Sequence, residues 1–127
     1  MRLVFIVVGL VLIEYLVFVV RAGRARGQFG VAAPATHGHP IFERHFRVQQ
    51  NTVEQLVVFL PAVFLFARYA SEIGAAALGL VFLVGRALYA RGYVIDPAKR
   101  GPGFLLTIAA NVVLLLGGLV GVLLAHS

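Results

Sequence analysis

Arg47, Gln50, Asn51 and Glu54 stand at i, i+3, i+4 and i+7, so a helix carries all four on one stripe. Arg86, Tyr89 and Tyr93 follow i, i+3, i+7 and share a face of a later helix. Both stripes fall at the same end of their helices, and Arg26 and Arg100 are expected to flank that end from loops. Glu14 lies about 10 Å down its helix from Arg21, and Asn111 about 12 Å from Gly103, at 1.5 Å per residue. Such a set is rich in hydrogen-bond donors. Several guanidinium groups favour a ligand with carboxylates, bound through forked hydrogen bonds. Glu54 would suit an ammonium group on the same molecule, and the amides and tyrosines add neutral donors and acceptors. A small zwitterionic peptide with an anionic surplus fits this inventory better than a lipid headgroup or a nucleotide. No phosphate-binding glycine loop precedes a helix.

The elements that must position these residues are membrane spans. Of 127 residues, 61% are hydrophobic, 13% are charged and none is cysteine. Mean hydropathy is +0.95. That composition cannot supply a soluble enzyme's polar skin, and it excludes disorder and a disulfide or Cys-zinc scaffold. Long uncharged apolar runs do not suit nucleic-acid binding, although 11 Lys+Arg against 5 Asp+Glu give a net +6. Four segments meet the roughly 20 residues needed to span a bilayer: about 3–20, 48–70, 74–93 and 103–125. They predict an all-α, integral membrane four-helix bundle forming one domain over 1–127. Arg21 to Pro40 reads as an irregular segment, Ser71 to Ile73 as a tight hairpin, and Val94 to Pro102 as a turn that breaks the helix on both sides. Pro61 is expected to kink the second span.

Four spans place the first and third connections on one face. Arg21, Arg24, Arg26, Arg44, Arg47, Arg91, Lys99 and Arg100 gather there with Arg86 just below, against Arg2 and Arg68 opposite. The bias makes that face cytoplasmic and both termini non-cytoplasmic. Ten arginines to one lysine, with abundant Gly, Ala and Val, point to a GC-rich bacterial genome and hence to a bacterial inner membrane.

Polar residues in spans are functional candidates by default, yet plainer roles compete. Asn111 alone reads as interhelical glue, and Arg21, Arg24 and Arg44 as topology signals. Glu14 stays open between packing partner and site residue. Phe59, Phe64 and Phe66 read as lipid contact and core, and Gly117 with Gly121 as a helix-packing pair. His37, His39 and His45 lack a fourth ligand or fixed geometry, so no metal site is assigned. The stripe of Arg47, Asn51 and Glu54, carrying both signs and an amide, exceeds what glue requires.

The run from Phe42 to Glu54 (FERHFRVQQNTVE) resembles the signature of the MAPEG family, the membrane-associated proteins of eicosanoid and glutathione metabolism. The likeness continues through Gly74 to Leu78 (GAAAL) and Gly85 to Tyr93 (GRALYARGY), and covers nearly the whole chain. The pattern is most similar to the leukotriene-C synthase and microsomal glutathione transferase branch. It implies a homotrimer with glutathione, as co-substrate, held between neighbouring subunits near the cytoplasmic face. By position it implies glutathione contacts at Arg26, Arg47, Gln49, Asn51, Glu54, Tyr89 and Tyr93, and thiol activation by Arg100. A guanidinium beside a thiol, whose pKa is ordinarily about 8.5, favours the thiolate nucleophile. Two positions depart from the branch: Gly27 replaces a second arginine, and Gln55 replaces a tyrosine. The first turns the expectation from leukotriene chemistry toward a bacterial glutathione transferase or peroxidase acting on a lipophilic second substrate.

Two other readings remain beside it. One keeps the fold as a non-catalytic lipid-binding member. The other is a small proton-coupled multidrug exporter using Glu14; the absence of Trp, the long first loop and the concentration of polar residues on helix two weigh against it.

Overall fold

Apolar runs that end in charged or Gly- and Pro-bearing segments fold as four long helices: α1 (Arg2–Gln28), α2 (Pro40–Tyr69), α3 (Glu72–Ile95) and α4 (Gly101–Leu124). A 3₁₀ turn, Pro97–Arg100, leads into α4. The computed structural model describes residues 1–125, among which there is no strand, so the unit expected over 1–127 extends two residues past them. All four helices are long and apolar enough to cross a membrane.

The boundaries follow from side chains that satisfy free helix ends. Pro40 occupies the first turn of α2, where a missing N–H costs nothing. His39 Nδ1 accepts from the Ile41 N–H at 3.2 Å, and Ser71 Oγ from the Gly74 N–H at 2.9 Å. Asp96 Oδ1 accepts from the Ala98 N–H at 3.1 Å and starts the 3₁₀ turn.

Two local expectations are corrected. The segment after Arg21 is irregular only from Phe29 to His39, because α1 continues to Gln28. Ala22 and Ala25, both buried, carry the apolar period through the arginines and keep the helix going. Arg26 therefore sits on the last turn of α1 rather than in a loop. The Gly101–Pro102–Gly103 stretch is helical, with proline in the first turn of α4, where it is tolerated. α2 runs from Pro40 to Tyr69 with Pro61 inside it, as expected of a proline within a span.

The α2–α3 pair forms the centre of the bundle; α1 packs on one side of it and α4 on the other. Phe59 and Phe82 stack there at 4.1 Å between ring centroids, both fully buried, with Val4, Val11 and Leu114 around them. α3 and α4 approach backbone to backbone where Gly85 faces Gly103, since a side chain at Gly103 would overlap the Tyr89 main chain. Gly117 packs on the Phe66 ring and Gly121 on the Tyr69 carbonyl, so this pair brings α4 against α2. Around this core the surface is greasy: Leu3, Phe5, Ile13, Leu16, Leu105 and Leu123 are exposed, as suits an acyl-chain solvent.

Candidate functional site

At the end of the bundle where α1 and α3 finish and α2 and α4 begin, Arg47, Asn51, Tyr89, Tyr93, Arg100 and Phe104 line one cavity of about 510 Å³. Three elements build it. α2 contributes Arg47 and Asn51 one turn apart, and α3 contributes Tyr89 and Tyr93 one turn apart. The 3₁₀ turn and the first turn of α4 bring Arg100 and Phe104 across the opening. The Gly85–Gly103 crossing sets how closely that turn approaches Tyr89.

The lining side chains brace one another. Tyr89 is 2% exposed and stacks on Tyr93 at 5.6 Å between centroids. Phe104 leans on Tyr89 at 6.2 Å. Arg100 is steadied by donating to the Pro97 carbonyl at 2.7 Å, and it stays exposed at the mouth. Arg47, about half exposed, pairs loosely with Glu54 at 3.8 Å, an arrangement worth little in itself and easily exchanged for a ligand carboxylate.

Beneath the cavity lies a polar network that spacing along one helix could not show. Arg86 is wholly buried. Its Nη2 donates to Asn51 Oδ1 at 2.8 Å and to Thr52 Oγ1 at 2.8 Å; its Nε also reaches Thr52 Oγ1 at 3.2 Å, and Nη1 reaches Thr107 Oγ1 at 3.4 Å. Each threonine hydroxyl in turn donates to its own helix, Thr52 to the Val48 carbonyl and Thr107 to the Gly103 carbonyl. The guanidinium also lies 4.3 Å from the Tyr89 ring centroid. Arg86 thus ties α2, α3 and α4 together under the cavity floor. Thr52 and Thr107 escaped the sequence reading because threonine passes as an ordinary span residue. The available signal was Arg86 itself, since a buried guanidinium demands acceptors from other helices.

Of the eight residues expected at the site, five meet in this cavity: Arg47, Asn51, Tyr89, Tyr93 and Arg100. Glu54 stands beside it through Arg47. Arg26 and Gln49 do not join them. Arg26 donates to the Ala35 carbonyl at 2.8 Å and the Val31 carbonyl at 3.4 Å, and lies over the Phe42 ring at 4.6 Å. Gln49, two residues from both Arg47 and Asn51, projects from roughly the opposite side of α2. Within one chain neither lines the pocket.

The remaining polar candidates have other uses. Asn111 Nδ2 donates to Gln55 Oε1 at 3.1 Å and to the Gln55 carbonyl at 3.3 Å, joining α4 to α2. Arg44 donates to the Val94 and Ile95 carbonyls at the end of α3, a role beyond topology. His39 caps α2 and stacks on Phe29 at 3.8 Å. The lining is dominated by donors: two guanidinium groups, two phenols, and the Asn51 amide N–H₂ left free once its oxygen is taken by Arg86. Such a lining suits a small anion-rich molecule with carboxylates.

Comparison with known proteins agrees with this chemistry. A model of the MAPEG family matches residues 4–120. The chain is 47% identical over 118 residues to an uncharacterized protein of Synechocystis sp., covering 93% of this chain and 86% of that one. It is 39% identical over 105 residues to Homo sapiens microsomal glutathione S-transferase 2, covering 83% and 71% of the two chains. Leukotriene C4 synthase of Bos taurus is 38% identical over 76 residues, 60% of this chain and 51% of its own length.

Proposed function

Because the chain belongs to the MAPEG family and is an integral membrane protein of four helices, we propose that it is a membrane glutathione transferase that activates glutathione as a thiolate toward lipophilic electrophiles. The observation that carries this reading is the convergence of Arg47, Asn51, Tyr89, Tyr93 and Arg100 on one cavity of about 510 Å³. Arg47 and the free Asn51 amide N–H₂ bind glutathione carboxylates, the tyrosines pack along the peptide and donate to it, and Glu54 takes the ammonium group. Arg100, exposed at the mouth and braced by the Pro97 carbonyl, stabilises the thiolate.

The reaction forms a carbon–sulfur bond at the electrophilic carbon and displaces its leaving group, while the thiol proton departs to solvent. The same thiolate can attack the distal oxygen of a lipid hydroperoxide: the O–O bond breaks, and the lipid alkoxide leaves and takes a proton as the alcohol. A second glutathione converts the resulting sulfenic acid to glutathione disulfide and water, which makes peroxidase activity a second use of the site. Relatives named for glutathione transfer and for leukotriene synthesis support thiol chemistry of this class. Gly27 removes one cation expected of the synthase branch and favours general lipophilic substrates over leukotriene formation.

Arg26 and Gln49 complete the site only if a second chain supplies them, since neither lines the cavity from within one chain. A homotrimer with glutathione at each subunit boundary meets that need. We infer from the bias of basic residues that the cavity opens on the cytoplasmic face with both termini on the other side, and from the arginine-rich composition that the membrane is a bacterial inner membrane.

The direct test is the thiolate absorbance of glutathione on the purified protein as a function of pH. A thiolate present well below pH 8.5 supports the reading. Failure to bind glutathione would leave the non-catalytic lipid-binding reading in its place.

A further inference from the structure

A second cleft, of about 530 Å³, opens between α1 and α3 on a different side of the bundle from the glutathione cavity. Its walls are two matching stripes. On α1, Glu14, Val17, Phe18 and Arg21 fall at i, i+3, i+4 and i+7; on α3, Ala87, Ala90, Arg91 and Val94 repeat that spacing. α1 and α3 run in the same direction, so Arg21, the last residue of its stripe, and Arg91, about one turn before Val94, both lie toward the charged end of the bundle. His45 of α2 closes that end between them. Ala87 and Ala90 keep the groove open because they project no more than a methyl group.

We propose that this cleft binds an anionic phospholipid, with the phosphate held by Arg21, Arg91 and His45 and an acyl chain laid along Val17, Phe18, Ala87 and Ala90. The charge balance selects the class of ligand. Two arginines and a histidine face one carboxyl group, and among the described residues neither arginine nor His45 belongs to an ion pair. Arg21 and Arg91 are exposed and carry no hydrogen bond to the protein among those residues. Arg44, Arg26 and Arg100, at the same end, are engaged with backbone carbonyls. Arg24 and Lys99 are also without a partner among the described residues but do not line the cleft. Arg21 and Arg91 are the free cations that stand over an apolar groove at headgroup depth, the arrangement that recognises an anionic lipid.

Depth agrees as well. Glu14 lies about 10 Å below Arg21 along α1, so the cleft runs from the headgroup layer into the acyl region. Arg21 and His45 also line an adjoining hollow with Arg24, which widens the basic mouth. Arg26 leaves α1 about 140° around from Arg21, so the α1 face offered to a neighbouring subunit is not the face that lines the cleft. Orientation of the chain in the membrane needs basic residues at this end, but it needs no apolar groove beneath them.

The test is native mass spectrometry of the detergent-purified protein with phosphatidylglycerol or phosphatidylcholine of identical chains. Phosphatidylglycerol is expected to bind at least tenfold more tightly. Arg21→Ala with Arg91→Ala should remove about fivefold per residue, roughly 25-fold together, since a basic residue near the headgroups contributes about 1 kcal/mol. A second variant, Ala87→Phe, fills the groove while keeping every charge, and should weaken both lipids. Arg2→Ala with Arg68→Ala, at the opposite end, should leave the preference intact. Equal binding of the two lipids overturns the proposal, as does an equal loss from the Arg2 and Arg68 pair. Glycerophosphate binding as tightly as the intact lipid overturns the acyl-chain part. A cationic amphiphile bound better than phosphatidylglycerol and released by Glu14→Gln overturns the choice of an anion. Glutathione thiolate absorbance, read on the same variants, reports the other cavity independently.

Discussion

Arg86 donates to Asn51 Oδ1 at 2.8 Å, and that one contact decides which way the Asn51 amide faces. With its oxygen taken from below, Asn51 can present only its N–H₂ group to the cavity above. A buried arginine on α3 thereby turns an ambivalent side chain on α2 into a dedicated donor. The same guanidinium donates twice to Thr52 Oγ1 and once to Thr107 Oγ1, whose own protons are committed to their helices.

Replacing Arg86 should therefore damage stability and binding together. Arg86→Met leaves Asn51 Oδ1 and two threonine oxygens buried without donors, each such group costing about 1–3 kcal/mol in isolation, and a loss of roughly 2–4 kcal/mol is expected overall. Thermal unfolding in detergent reads the first effect. Glutathione affinity in the surviving folded fraction should also fall, because a released Asn51 amide is free to flip. Unchanged affinity in that fraction would separate Arg86 from the site.

Arg100→Ala addresses the thiol instead of the peptide. Removing a guanidinium beside the sulfur withdraws stabilisation from the charged form, so the thiol pKa of bound glutathione should rise by roughly one to two units. Since the thiolate is the nucleophile, kcat near pH 7 should fall by about 10- to 100-fold and recover as pH increases. KM for glutathione should change much less, because Arg47, Asn51 and the tyrosines remain. A pH–rate profile of both proteins checks this; parallel profiles would remove Arg100 from the chemistry.

How much of this was legible in the sequence depends on which helix a residue has to meet. The four apolar runs and the stripe of Arg47, Asn51 and Glu54 follow from periodicity within one helix, and these were readable. The order of the spans already put Tyr89, Tyr93 and Arg100 at the same end as that stripe, but their meeting in one cavity was only implied by the resemblance, because spacing says nothing of which helices are neighbours. The Arg86 network was hidden for the same reason: Thr52 and Thr107 become meaningful only once α2 and α4 are known to sit on either side of that guanidinium. The extension of α1 to Gln28 was obscured differently. Arg21, Arg24 and Arg26 break the apolar run, while the small buried residues Ala22 and Ala25 that continue the helical period carry little hydropathy weight.

Asn111 gives a prediction of the opposite sign to its apparent importance. It is 3% exposed, its N–H₂ group meets Gln55, and its Oδ1 is buried without a hydrogen-bond partner among the described residues. Interhelical hydrogen bonds in membranes contribute on average only about 0.6 kcal/mol, and an unpartnered buried oxygen offsets much of that. Asn111→Leu should consequently stay within roughly 1 kcal/mol of the parent, whereas Asn111→Asp, which puts a charge in the same place and loses the donor, should cost several times more. Thermal unfolding of the two variants side by side distinguishes them. A large loss in the leucine variant would mean that Gln55 depends on Asn111 far more than the geometry implies.

Gly103 and Gly9 pose the sharpest contrast between two substitutions that look alike in sequence. Both glycines lie in helices, and alanine is the better helix former at either position by up to about 1 kcal/mol. At Gly9 an added methyl meets nothing within 4 Å, so Gly9→Ala should be neutral or mildly stabilising. At Gly103 the methyl would overlap the Tyr89 main chain and press on the Gly85 carbonyl. Backbone cannot rotate aside as a side chain can, so α4 must move away from α3, at a cost of roughly 1–3 kcal/mol. The functional loss should exceed the loss in stability. Gly103 lies in the first turn of α4, between Arg100 and Phe104, and the displaced segment carries both away from Tyr89 and Tyr93. A misplacement of about 1 Å can cost 100-fold in rate, so Gly103→Ala should lower kcat/KM by at least tenfold even where the protein remains folded. The thiolate absorbance of bound glutathione should fall with it, as Arg100 retreats from the sulfur. A Gly103→Ala protein with parental activity would show that the α3–α4 crossing does not set the geometry of the cavity.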